Sequence, residues 1–146
     1  MTRARRHGAA CLACALILAL PGPATAALDQ ASALPLVSVT PAYRVHEAVL
    51  DNGSVIREYA STQQRVFAVR WRGPVLPDLR VWLGVHHPAY VRAAEAARAT
   101  GLRGGPLVFA SEDLVLRSTG RMREFQGHAY LPAQVPAGVD IGALLR

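Results

Sequence analysis

Residues 43–60 read YRVHEAVLDNGSVIREYA: two runs of β-type residues, Tyr43–Leu50 and Ser54–Ala60, either side of Asp51-Asn52-Gly53. An Asn-Gly pair between two such runs is a strong hairpin signal, because the tight turn needs a residue that accepts positive φ. The loop length then sets the register. A two-residue turn would place Glu47 opposite Glu58, whereas a three-residue loop with Gly53 left-handed places Glu47 opposite Arg57 and His46 opposite Glu58. Like charges face to face cost up to about 1 kcal/mol, so the bulged register is predicted, with Val45 across from Tyr59 and Val49 across from Val55. It puts Glu47 and Glu58 on opposite faces, which removes them as an acid–base pair.

Downstream, Arg65–Arg72 alternates Phe67, Val69 and Trp71 with Val66, Ala68 and Arg70, so the first set is predicted to face the core. Gly73-Pro74 ends this strand. Pro77-Asp78 opens a short turn or helix in which Asp78 caps Leu79–Leu83 and Gly84 closes it. Pro88–Thr100 reads as a helix with proline in its first turn and Gly101 as a left-handed cap. Its Tyr90, Ala94 and Ala97 share one face, with Val91 beside them, and Arg92, Glu95 and Arg98 line a solvated one.

After the Arg103-Gly104-Gly105 loop, strands are expected at Leu107–Ala110, Asp113–Ser118 and Arg121–Tyr130, with Thr119-Gly120 as a turn. Residues 135–146 carry turn residues and one helical turn from Asp140. The predicted fold is therefore α+β: an antiparallel sheet of three strands, a helix, then two or three strands, with that one main helix packed on the sheet. Local pattern does not specify the strand order.

Upstream, Arg3, Arg5 and Arg6 precede an apolar stretch over 9–20 interrupted only by Cys11 and Cys14. Pro21-Gly22-Pro23 and the small residues Ala24-Thr25-Ala26 follow, so residues 1–26 read as a signal peptide cleaved after Ala26. The apolar run is shorter than the roughly 20 residues a membrane span needs, so no stable span is expected after cleavage. Both cysteines lie in the signal core, which argues against redox or metal chemistry for Cys-x-x-Cys and leaves the mature chain thiol-free. Residues 27–41 read as an extended or disordered lead, and 42–146 as a single domain exported by the general secretory route to the periplasm or beyond.

The 146 residues suit one core. Removing residues 1–26 takes three arginines and no acid from 16 basic and 10 acidic residues, lowering the formal charge from +6 to +3. With that mild charge and few aromatics to stack bases, nucleic acid is not an expected partner. Every basic side chain is arginine, which excludes lysine Schiff bases and phosphate-loop lysines. Histidines 46, 86, 87 and 128 lack zinc-ligand spacing, and no serine sits in a nucleophile motif, so no catalytic residue, metal or cofactor is assigned. Arg57, Arg70, Arg72, Arg117, Arg121 and Arg123 could make a basic sheet face for an anionic polymer. Charge balance by Glu47, Glu58, Glu112 and Glu124 is the preferred reading.

Val55-Ile56-Arg57-Glu58-Tyr59, Val66-Phe67-Ala68-Val69-x-Trp71-x-Gly73-Pro74-x-x-Pro77-Asp78-Leu79 and the later Gly127-x-Ala129-Tyr130-x-Pro132 resemble a family of short exported bacterial proteins known only as a domain of unknown function. The resemblance implies export and a single domain, and brings no activity, ligand or catalytic residue. His86-His87 stands where that pattern has an aromatic and a polar residue. Trp71 to Leu79 forms a rigid corner, read either as structural pinning or as part of a partner-docking edge comprising Arg57, Tyr59, Trp71, Asp78 and Trp82. The expected function is a non-enzymatic binding or assembly module of the envelope, taking another exported protein or an anionic polymer. The alternative is a small periplasmic hydrolase with a noncanonical site.

Overall fold

The computed structural model describes residues 27–101 and 105–146. The expected signal peptide, with Cys11 and Cys14, and Arg103-Gly104 of the loop lie outside the described residues. Among the described residues, seven strands form one antiparallel sheet: β1 (Leu36–Val39), β2 (Tyr43–Val49), β3 (Val55–Ser61), β4 (Val66–Gly73), β5 (Leu107–Ala110), β6 (Val115–Arg121) and β7 (Glu124–Tyr130). Their order is β1-β2-β3-β4-β7-β6-β5. Helices α1 (Leu79–Leu83) and α2 (His87–Ala99) connect β4 to β5, and α3 (Ile141–Leu144) ends the chain. None of these helices is long and apolar enough to cross a membrane.

The central hairpin adopts the three-residue register. Val45 lies opposite Tyr59, His46 opposite Glu58, Glu47 opposite Arg57 and Val49 opposite Val55. Leu50 N donates to Ser54 O at 2.8 Å, and Gly53 is left-handed at φ 80°. Asp78 caps α1 by accepting from Arg80 N at 3.0 Å, and Gly84 ends it at φ 51°. Gly101, at φ 75°, follows α2, as its cap position requires.

Four expectations are corrected. The class stands, but the strands are four before the helices and three after them. The extra one, β1, lies in the lead at 27–41, which is ordered because Leu28 is buried and its N–H donates to Trp82 O at 3.1 Å. Asp29 N to Val66 O and Val66 N to Gln30 O, both 2.9 Å, tie the same segment to β4. Burying one leucine contributes about 1.5–3 kcal/mol, and with these hydrogen bonds and the β1–β2 pairing it orders an arm that reads from sequence as extended or disordered.

Phe67 does not share a face with Val69 and Trp71. Tyr59 pairs with Ala68 and Ala60 with Val66, so Phe67 is the extra residue of a bulge and turns to the opposite face. The β6–β7 turn is Met122-Arg123, with Arg123 at φ 64°, because Thr119 and Gly120 remain in the ladder opposite Gln126 and Phe125. Gly120 is needed there for space: a Cβ would meet the Phe125 ring at 2.5 Å. The main helix α2 packs on the core through partly buried Ala89 and Tyr90, while five-residue α1 buries Leu79, Trp82 and Leu83.

The sheet has two differently covered faces. One carries Ile56, Val69, Trp71, Leu116 and Ala129, which pack with Leu28 and the α1 side chains in the main core. The other carries Tyr59, Phe67 and Ala68 under Ile141, Leu144 and Leu145 of the C-terminal segment. That segment covers only part of its face.

Candidate functional site

Alternation along four strands assembles a basic row on the partly covered face. With Trp71 in the main core, Arg70 and Arg72 point the other way. Ala129 in the core likewise turns out His128, and Leu116 turns out Arg117. Pairing then aligns them. Arg57 lies opposite Arg70, Arg70 opposite His128 and His128 opposite Arg117. Directly opposed residues share a face, so one line of four basic side chains crosses β3, β4, β7 and β6. Arg72, Gln126 and Thr119 make a parallel polar row beside it.

This row floors a cavity of about 460 Å³ lined by Arg70, Arg117, Thr119, Gln126 and His128 and walled by the C-terminal segment from Ile141 to Arg146. A smaller hollow of about 220 Å³, bounded by Glu47, Arg57, Arg70 and Arg72, continues from it at Arg70. The carboxylates expected to balance these arginines are mostly elsewhere. Glu58 is buried on the opposite face and Glu112 is exposed in the loop before β6, while Glu124 faces Arg121 at the far end of its hairpin. Glu47 alone enters the row, receiving the Arg57 Nε–H at 2.7 Å and pairing with its Nη2.

Arg70, Arg72 and Arg117 have no ion pair among the described residues. Burial holds the half-buried His128 imidazole below its usual pKa, and the Arg117 and Arg70 guanidinium charges depress it further. Both effects favour the neutral imidazole. Adjacent like charges in a sheet are destabilising, so nothing in the fold itself calls for this row. Unneutralised cations converging on a concavity are the arrangement that receives an anion.

A second polar cluster lies on the opposite face. Glu58 is 0% exposed; its Oε2 accepts from the Ser32 hydroxyl at 2.6 Å, and its Oε1 has no partner among the described residues. Burial pushes its pKa up against the opposing effects of the Ser32 hydroxyl and the His46 charge. His46 Nδ1 donates to Leu34 O at 2.8 Å, and Ser32, Arg44, His46 and Gln64 bound a hollow of about 310 Å³. Ser32 donates to the carboxylate and has no hydrogen bond to His46, so no serine–histidine pair is formed. Among the described residues no three His, Cys, Asp or Glu side chains converge as metal ligands.

Of the five residues read from sequence as a docking edge, Arg57 and Tyr59 stand on the basic face, and only Arg57 belongs to the basic row. Tyr59 is 3% exposed beneath the C-terminal segment, its hydroxyl donating to Leu144 O at 3.3 Å. Trp71 (0% exposed) and Trp82 (7%) fill the main core. That part of the reading is corrected: rings buried between sheet and helix give a partner nothing to touch. Asp78 is committed to capping α1 and to the Arg80 guanidinium, which holds its carboxyl down to about 2.

Arg70, Arg72 and Arg117 were recognisable as sheet arginines. His128 was missed, although its signal was its position in β7 beside the core residue Ala129. A family model described as "Protein of unknown function (DUF2844)" matches residues 19–144. No curated protein and no solved structure matches the chain.

Proposed function

The chain belongs to the DUF2844 family, whose description names no activity, and from that premise we propose that it is a non-enzymatic binding module for an anionic polymer of the bacterial envelope. It acts outside the cytoplasm after removal of residues 1–26. The observation that carries this reading is the row Arg57, Arg70, His128 and Arg117, aligned strand by strand, with the last three on the floor of a concavity and only Arg57 paired with a carboxylate. Arginine suits the task because its planar, permanently charged fork engages carboxylate or phosphate through two hydrogen bonds.

Ser32 with Glu58 behind it, beside the hollow at His46, is the feature a hydrolase would use. The binding reading is preferred because that carboxylate is fully buried and, among the described residues, lines no cavity, while the basic row is open to ligand. The test is retention of the purified protein on immobilised polygalacturonate compared with neutral dextran. Retention on the acidic polymer, eluted by salt and lost in an R70A/R117A double variant that melts like the parent, is the expected result. Equal retention on both polymers, or full retention of the double variant, would refute the proposal.

A further inference from the structure

We infer that the groove takes its ligand as a linear acidic polysaccharide laid across the strands, and that His128 is the member of the site that gains a proton when the chain binds. This rests on the anion-binding reading and adds to it a ligand shape and a proton linkage.

Neighbouring strands in a sheet are about 4.8 Å apart, so two steps from β4 to β6 spread Arg70, His128 and Arg117 over about 10 Å in one line, with Arg57, held by Glu47, one strand further. A compact anion such as free phosphate would meet only one or two of the three. A chain with a negative charge on successive units meets all three. The C-terminal segment walls the groove, so a flat bilayer could not bring its headgroups to Arg70 and His128 on the floor. The geometry therefore favours an acidic polysaccharide over a membrane surface.

His128 occupies the middle of the line. Arg70 faces it from β4 and Arg117 from β6; Gln126 and Tyr130 flank it on β7, and the C-terminal segment contributes Arg146. On this face Glu47 is held by Arg57, two strands away, and Glu124 faces Arg121 at the hairpin end. In the empty groove a proton on His128 would add a third positive charge between two arginines, so the neutral imidazole is favoured. A ligand carboxylate placed over the row reverses that balance: it neutralises the arginines and offers the imidazolium a partner. Binding then raises the His128 pKa, and by reciprocity affinity rises as pH falls through the pKa of the complex and levels off below that of the free protein. One proton limits the effect to tenfold per pH unit.

The experiment is calorimetric titration of the purified protein with oligogalacturonate from about pH 8 to about pH 5.5, where the uronates stay ionised and histidine titrates. We expect affinity to rise about fivefold or more over that range, with net proton uptake revealed by buffers of different ionisation enthalpy. In H128Q, shown by thermal melting to be folded, the affinity should no longer vary with pH. Binding that is independent of pH in the parent, or an unchanged pH slope in H128Q, overturns the proton linkage while the binding module stands. Preference for phosphatidylglycerol vesicles or for inorganic phosphate overturns the linear polysaccharide. Failure to bind any of these anions overturns the parent reading itself.

Discussion

Replacing Gly127 by alanine tests both the packing beneath the groove and the register that builds it. Gly127 lies opposite Trp71 in the β4–β7 ladder, and the indole rests across the space a side chain would fill. A Cβ there would sit 2.7 Å from Trp71 Cε2 and 2.5 Å from the Arg117 carbonyl oxygen on β6. Both are well inside van der Waals contact, and the second obstacle is backbone, so the neighbouring strand must move. Overpacking of this kind costs about 1–3 kcal/mol, while alanine at an unhindered strand position would gain about 0.5–1 kcal/mol over glycine. With two obstacles this close and one of them backbone, the overpacking cost lies at the upper end of that range, and the net expectation is a loss of about 2 kcal/mol. For a domain of this size that corresponds to a fall of about 6–10 °C in melting temperature.

Urea denaturation gives the free energy, and the same substitution in a W71F background separates the two obstacles. Phenylalanine lacks the fused ring that occupies the site, so alanine should cost at least about 1 kcal/mol less there, the residual cost coming from the Arg117 carbonyl. A G127A variant within about 0.5 kcal/mol of the parent, or an equal cost in both backgrounds, would refute the claim that the indole requires glycine at this position.

Two further outcomes follow from the ionisable groups. Because burial raises the pKa of Glu58 in the folded state, its stabilising contribution is complete below its unfolded pKa near 4.5 and is lost as pH rises through the folded value. E58Q keeps an acceptor for Ser32 without the charge, so its stability relative to the parent should be greater at pH 8 than at pH 5, and urea midpoints that differ by the same amount at both pH values would contradict this. Since Arg117 helps hold the His128 imidazole below its usual range, R117Q should raise the His128 pKa, measured by NMR titration of the ring protons; a fall or no change would show that the two side chains do not share the groove floor.

The elements read correctly from sequence are those whose signal is local. The β2–β3 register followed from four charged or polar side chains and one loop, because a slip by one residue would have set Glu47 against Glu58. Asp78 and Gly84 marked the ends of α1 for the same reason: a cap acts within one turn. The errors were long-range. Leu28 orders the amino-terminal arm by meeting Trp82, far along the chain, and no pattern within 27–41 discloses that contact. Gly120 reads as a turn residue, but the Phe125 ring accounts for it, and the actual turn is made by an arginine in a left-handed conformation.

The basic row combines both kinds of information. Which side chains point away from Trp71, Ala129 and Leu116 is set by the two-residue period of each strand, so the facing of Arg70, His128 and Arg117 was legible one strand at a time. What brought them into line was the pairing of β4 with β7, two strands separated by both helices and the β5–β6 segment. Strand order decided the rest. If β4 paired with β5, Arg70 would be separated from the His128–Arg117 pair, which the β6–β7 hairpin holds together in either order. In the observed order Glu58 lies behind the sheet and Glu112 in a loop, so the like charges of the row remain uncompensated wherever Glu47 does not reach. Folding alone gives no reason to keep such a line, because opposed like charges weaken a sheet. A bound anion does: the repulsion that costs stability in the empty groove becomes attraction for ligand, strongest at His128, where a proton can follow the charge in.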